Sequence, residues 1–263
     1  MNYYNEIDKK VAAWLRELIK RDLIAPGEVD ERSIEDVVPS DLKGFTQCHF
    51  FAGIGGWSYA LRLAGWPDDK PVWTGSCPCQ PFSQTGKGIG FEDERHLWPA
   101  FQHLIQQCQP PEVYGEQVSG QDGFEWLDLV QTDLEGMAYT FAALPFPSAS
   151  VGAPHIRDRI YWFAANSSYE RDSRRQPSPS ISQVRPWGAF SQVDMQSIID
   201  RPYDHGRYHD QPLIRALDDG LSDRVVRIGA YGNAINPYAA KAFIEATQEA
   251  LSDLEALQTA VAA

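Results

Sequence analysis

Cysteine is scarce in this chain. There are four among 263 residues, none spaced Cys-x-x-Cys, which offers neither a disulfide framework nor a zinc ribbon and suits a reducing cytoplasm. No apolar run approaches the length of a membrane span, and the opening "MNYYNEIDKK" is too polar for a secretory signal. Internal repeats at solenoid periods are absent. Positive charge is also in short supply: 23 Lys and Arg stand against 36 Asp and Glu, a net charge of -13. That balance disfavours nucleic acid as a partner for the whole surface. A phosphate backbone needs only a local basic face, however. Residues 166–215, with Arg171, Arg174, Arg175, Arg185, Arg201, Arg207 and Arg215 against six acids, are near neutral while the rest is strongly acidic, so DNA, if bound, would bind there and at the catalytic loop. Any one of these arginines could equally be a solvated surface side chain.

One more absence is a matter of order. "FAGIGG" (Phe51 to Gly56) reads as a glycine turn between a strand and a helix, and residues 57–77 then leave room for only one helix and one strand before Pro78. A domain that holds a nucleotide-like cofactor needs a further strand to carry an acid to the ribose.

What is present alternates between strand and helix. "DKKVAAWLRELIKRDLI" places Val11, Leu15, Leu18 and Ile19 on one helical face. "TQCHFF" reads as a buried strand, "WSYALRLAGW" as a helix and "PVWTGSC" as a short strand. "ERHLWPAFQHLIQQCQP" is a helix stopped by Pro110 and Pro111. "EVYGEQV" is a strand, "GFEWLDLVQTDLEGMAY" a helix, "RDRIYWFAAN" strand-like, and "PYAAKAFIEATQEALSDLEAL" a closing helix. The alternation predicts an α/β fold, a doubly wound and mainly parallel sheet. Residues 166–211, rich in Ser, Arg, Pro and Asp, predict a loop-rich lobe. The expected organisation is an α/β domain over 1–165, the small lobe over 166–211, and a segment over 212–263 that returns to the domain.

Several short stretches carry chemistry. Gly53, Gly55 and Gly56 present no side chain to a cofactor that approaches the backbone, although a glycine turn can be only a tight turn. In "PCQPFS", Cys79 sits between Pro78 and Gln80 in a stiff loop after a strand. A thiol so placed can attack an electron-poor ring carbon, or be one more inert cysteine; Cys77 is expected to be inert. Glu116 ends the next strand, so in a doubly wound sheet it would share the ligand crevice with Cys79. Arg157 and Arg159, two apart on a strand, share a face. They could hold a phosphate and a base oxygen, or simply pair with Asp158. No metal-ligand pattern is present.

In order, the glycine turn, Pro78-Cys79-Gln80 with Ser83, Glu116-Gln117-Val118, His155-x-Arg157-x-Arg159 and "GNAINP" (Gly232 to Pro237) resemble the DNA cytosine-5 methyltransferases. The similarity covers residues 45–165 and 213–246. In that family an acid like that of "NEID" follows the first helix. Here "NEID" stands at Asn5 to Asp8 instead, followed by a helix and by "GEVDERSIEDV". The resemblance therefore implies a Rossmann-like methyltransferase fold whose ribose and adenine strands are permuted to the front, with "DVVPSDLKGFTQ" crossing back to the middle of the sheet. The alternative is an unrelated helical leader over residues 1–40.

The resemblance further implies S-adenosyl-L-methionine as the cofactor and double-stranded DNA as the partner of a monomeric cytoplasmic enzyme of phage or bacterial type, with no membrane. Phe51, Gly53, Gly55, Gly56 and Asn233 would surround the cofactor, Glu6 would take its ribose hydroxyls, Ile34 would pack on its adenine, and Ser33 or Asp30 would read the adenine edge. Cys79 would add to C6 of a flipped cytosine, Glu116 would bond N3 and the exocyclic amine, Arg159 would hold O2, and Arg157 a phosphate or loop. Pro78, Gln80, Ser83, Lys87, Arg95, Gln117 and His155 would line the substrate. Lys87 and Arg95 belong to a glycine-rich stretch suited to closing over the base. This chain departs from the family pattern at Gln117 (asparagine there), at His155 (glutamine there) and in the shortness of 166–211, which implies modest sequence specificity. Three rival readings keep many of these residues: a folate-type one-carbon donor, an RNA substrate, and an inactive DNA-binding module.

Overall fold

The computed structural model describes residues 1–78, 97–153, 157–168 and 234–262. Their core is a seven-stranded sheet. In chain order the elements are β1 (Asn2–Asn5), α1 (Lys9–Lys20), β2 (Gly27–Asp30), β3 (Gln47–Phe50), α2 (Gly56–Leu63), β4 (Val72–Gly75), α3 (Trp98–Cys108), β5 (Glu112–Val118), α4 (Gln121–Gly136), β6 (Tyr139–Pro147), β7 (Asp158–Asn166) and α5 (Pro237–Ala262). The spatial order is β2-β1-β3-β4-β5-β7-β6. The first five strands of that order run parallel, and β7 and β6 complete the sheet antiparallel.

β1 lies between β2 and β3, with Tyr3 opposite both Glu28 and Cys48. After β2 the chain must therefore cross back over β1, and residues 31–46 do this through two short 3-10 turns, Ile34–Asp36 and Pro39–Leu42. The Met1 carbonyl accepts from Thr46 N at 2.8 Å, and Asn2 Oδ1 accepts from Gln47 N at 3.0 Å, which sets the register in which β3 joins β1. Residues Asn2–Asn5 are thus an interior strand of the sheet.

Strand alternation sorts the two faces. In β7, Ile160, Trp162 and Ala164 point into the core under α3 and α4, while Tyr161, Phe163 and Ala165 point to the side covered by α2 and α5. A third cluster seats α1 on Tyr4, Ile24, Ala52 and Ile54 through Val11, Trp14, Leu15 and Leu18. Asp8 starts α1 by accepting from Lys10 N and Val11 N, the N-cap role that short acids fill well. Each buried leucine on this face contributes about 2 kcal/mol.

One element was not foreseen. β6 starts at Tyr139, the last residue of the helix expected there, and runs on through residues to which the sequence reading assigns no element. Ala138 (φ 65°) breaks the helix, and "YTFAALPFP" pairs along its length with β7. Its two prolines are tolerated because β6 is an edge strand, with one side free of ladder bonds among the described residues.

Candidate active site

Five parallel strands end at one edge of the sheet, and antiparallel β7 begins there, so the ends of β1, β2, β3, β4 and β5 lie on the same edge as Arg157 and Arg159, where a doubly wound sheet forms its ligand crevice. Its first part is the glycine turn. Phe51 (φ 50°), Gly53 (φ 53°) and Gly55 (φ 79°) all adopt left-handed backbone. That conformation is costly for Phe51, which has a side chain to place. Its ring is set edge-on to Phe101 at 6.1 Å.

The three glycines are required for different reasons. A methyl group at Gly56 would lie 2.8 Å from Ile235 Cγ1, and one at Gly55 would lie 3.2 Å from Leu15 and Ile24. Both glycines therefore admit neighbouring side chains of the protein itself, a packing role that the cofactor expectation did not include. At Gly53 the nearest atom would be Phe51 O at 3.9 Å. This is the glycine that keeps the crevice open. The Ile235 contact also brings the end of "GNAINP" to the turn, although Asn233 lies outside the described residues.

Glu6 joins β1 to that turn. Its Oε2 accepts from Gly53 N at 2.8 Å and its Oε1 from Asp8 N at 2.9 Å. The backbone is stapled on both sides as well, by Glu6 N to Asp30 O and Ala52 N to Asn5 O, each 2.9 Å. Burial raises the Glu6 pKa, with Asp8 adding to the rise and the two backbone N–H groups opposing it. Each oxygen retains a lone pair for a ligand hydroxyl. The adjacent Ile7 is 65% exposed. An apolar side chain left bare beside a polar crevice offers a flat heterocycle a surface. Sequence reading passed over Ile7 because only its neighbours carry chemistry.

The expected adenine contacts fall out differently. Ile34 is 3% exposed and packs in the core beside Tyr3 and Phe50, under α3, so its surface is already covered. Asp30 is engaged by Arg32 Nη2 at 2.7 Å and by the Tyr3 hydroxyl at 2.8 Å. Burial works to raise its pKa, but those bonds outweigh it and hold the carboxyl below its ordinary range. Asp30 thus locks the β2 turn, and only its backbone reaches toward Glu6. Ser33 caps the first 3-10 turn, its Oγ accepting from Glu35 N at 3.4 Å and donating to Glu35 at 3.2 Å.

The second part of the crevice is carried by β5 and β7. Glu116 and Tyr161 are cross-strand partners, and Arg159 Nε approaches Glu116 Oε1 at 2.5 Å. The contact is an ion pair and not an aligned hydrogen bond, since Oε1 has no hydrogen-bond partner among the described residues. Burial pushes the Glu116 pKa up to about 7, against the downward pull of Arg159 and Arg157. A carboxyl so tuned holds or releases a proton near neutrality, as a general acid requires. Arg157 has buried Nε and Nη2 atoms with no hydrogen-bond partner among the described residues. Burial lowers its pKa, and Arg159 lowers it further while Glu116 opposes both. A buried guanidinium with idle donors is prepared for an acceptor that the described residues do not supply.

Between the two parts lies the segment after β4. Gln117, fully buried, donates from Nε2 to Cys77 O at 3.3 Å and accepts from Val118 N at 2.9 Å. Gln117 therefore holds the approach to the Pro-Cys-Gln loop through its side-chain amide. Cys77 is buried, as its inert assignment requires, and Pro78 is exposed. Cys79, Gln80, Ser83, Lys87, Arg95 and His155 lie outside the described residues, as do residues 169–233, which include all but the first three residues of the lobe expected at 166–211.

Comparison with known proteins decides the lineage. The model of the C-5 cytosine-specific DNA methylase family matches residues 66–215. The chain belongs to this family. Among curated relatives it is 28% identical over 115 residues to the type II methyltransferase M.HhaI of Haemophilus parahaemolyticus, covering 42% of this chain and 35% of that protein. It is 31% identical over 132 residues to M.NgoBI of Neisseria gonorrhoeae, covering 48% and 40%. The chain thus spans well under two thirds of the length of these relatives. Among solved structures, the Schizosaccharomyces pombe Dnmt2 methyltransferase aligns over 97% of this chain and 99% of its own at 11% identity, with a TM-score of 0.47. The family match spans the positions of Pro78-Cys79-Gln80, Glu116-Gln117-Val118 and His155-x-Arg157-x-Arg159, and the α/β sheet with a parallel core is the fold class expected from the sequence.

Proposed function

We propose that this protein transfers a methyl group from S-adenosylmethionine to C5 of cytosine in DNA. The observation that supports the reading is that a buried, neutral-range Glu116 beside Arg157 and Arg159, and the Cys77–Pro78 approach to Cys79, lie on the same edge of the sheet as Glu6 and Gly53. Glu6, Gly53 and Ile7 fit the cofactor: a carboxylate with open lone pairs for ribose, a turn open to a close approach, and a bare apolar side chain for adenine. Bound there, the cofactor supplies an electrophilic methyl sulfonium.

The chain's own residues do the rest. Cytosine C5 is a weak nucleophile. Addition of the Cys79 thiolate to C6 moves the ring electron pair toward C5, and Glu116, protonated, donates to N3 and offsets the charge. Arg159 holds the base O2 and Arg157 an acceptor nearby. Once C5 is methylated, loss of its proton to a base expels the thiol. The base must leave the duplex to reach this site, at about a few kcal/mol.

The rotated order of motifs belongs to the same reading. β1 and β2 act as the ribose and adenine strands, and the glycine-turn strand follows them in sequence. We assign residues 1–165 with 212–263 to the catalytic body and 166–211 to a small target-recognising lobe, whose size favours a short or degenerate target site. The test is bisulfite sequencing of plasmid from cells that express wild type or Cys79→Ser. Protected cytosines in one short context, lost in the variant, are expected. Unprotected DNA with wild type would refute the reading, and discrimination over six or more base pairs would refute the assignment of modest specificity.

A further inference from the structure

The approach to the nucleophile is held from two directions. Gln117 holds it from β5. From the opposite side Trp57, the second residue of α2, donates its indole N–H to Ser76 Oγ at 3.0 Å. Trp57 is buried, set edge-on to Tyr161 at 6.1 Å and tilted against Tyr114 at the same distance. Tyr161 is the cross-strand partner of Glu116. Trp57 therefore begins at the glycine turn, rests on the strand beside the general acid and reaches the residue three before Cys79. Packing alone would be met by phenylalanine. The indole N–H is the part of Trp57 that packing does not explain.

We propose that Trp57 and Ser76 form a positioning pair that holds the residues leading into Cys79 against the cofactor turn. The inference rests on the cytosine reading above. A hydrogen bond of ordinary net strength that is needed only for alignment costs the addition step about five- to tenfold when lost. Neither residue touches the base or the donor, so substrate affinity should not change.

The test uses the full chain, duplex DNA carrying 5-fluorocytosine, and S-adenosylmethionine. The Cys79 Sγ–C6 bond forms, the methyl group passes from the sulfonium to C5 and leaves a neutral thioether, and fluorine in place of the C5 proton blocks elimination, so the adduct persists. Adduct rates are measured for wild type, Trp57→Phe, Ser76→Ala, the double variant and Ser76→Thr, and DNA affinity is measured for each. Expected are a five- to tenfold slower rate in either single variant, no further loss in the double, recovery in Ser76→Thr, and unchanged DNA affinity. Ser76→Ala keeps the indole packing, so it remains informative should Trp57→Phe fold poorly. Wild-type rates in Ser76→Ala, or losses that multiply in the double variant, would overturn the pair while leaving the cytosine reading in place. No adduct with wild type would instead overturn that reading, and the pair with it.

Discussion

Glu6 Oε2 accepts a hydrogen bond from the Gly53 backbone N–H at 2.8 Å, so an acid from the first strand rests on a turn that follows the third. The bond exists because β3 pairs on the far side of β1 and brings the two strand ends to one edge. In the proposed function this carboxylate serves twice, as a brace for the turn and as the acceptor for the ribose.

That dual role predicts the behaviour of Glu6→Gln. The amide keeps the shape but removes the charge and half the acceptors. S-adenosylmethionine affinity, read by calorimetry, should fall about tenfold to a hundredfold, the usual effect of losing hydrogen bonds to a charged group. The melting temperature should change little by comparison.

The glycine turn separates packing from binding. Gly56→Ala would press a methyl on Ile235 and should lower stability by about 1–3 kcal/mol in a urea titration, the usual cost of overfilling a packed site. Gly53→Ala meets no neighbour, and only its φ of 53° is strained, at about 1–2 kcal/mol. Its larger effect should be on cofactor affinity.

Glu116 should govern the alkaline side of the pH profile. Its pKa of about 7 lies above the ordinary 4.5, so the folded protein retains through that window a proton that the unfolded chain has released. Stability from this group therefore falls as pH rises from 4.5 to 7. The adduct rate should likewise decline above pH 7 as the donor proton is lost. Arg159 pulls the Glu116 pKa down, so Arg159→Ala should move this decline to higher pH while slowing the reaction. A decline at the same pH in the variant would disprove the coupling.

The front of the chain is expected to be integral to the fold. Leu15 is fully buried against Tyr4 and Ile24, and Leu15→Ala should cost about 2–5 kcal/mol. A dispensable leader would tolerate it.

Much of this was legible in the sequence because the chemistry sits at strand ends. "NEID", "FAGIGG" and "GEQV" each close a strand, and parallel pairing brings strand ends together regardless of their order in the chain. Side-chain commitments were not legible. Asp30 looks free until Arg32 and Tyr3 claim it, Ile34 looks like a ligand surface until α3 covers it, and the Trp57–Ser76 bond needs α2 and β4 docked before it exists. β6 escaped notice because Pro145 and Pro147 disqualify a strand anywhere except at an edge, and local sequence does not say which strand will be the edge.

The most direct test of the rotated arrangement is a crystal structure with S-adenosylhomocysteine bound. The account predicts both ribose hydroxyls on the Glu6 carboxylate, with the ligand lying across Gly53. A ribose held by an acid from any other strand, or a ligand bound away from β1, would contradict it.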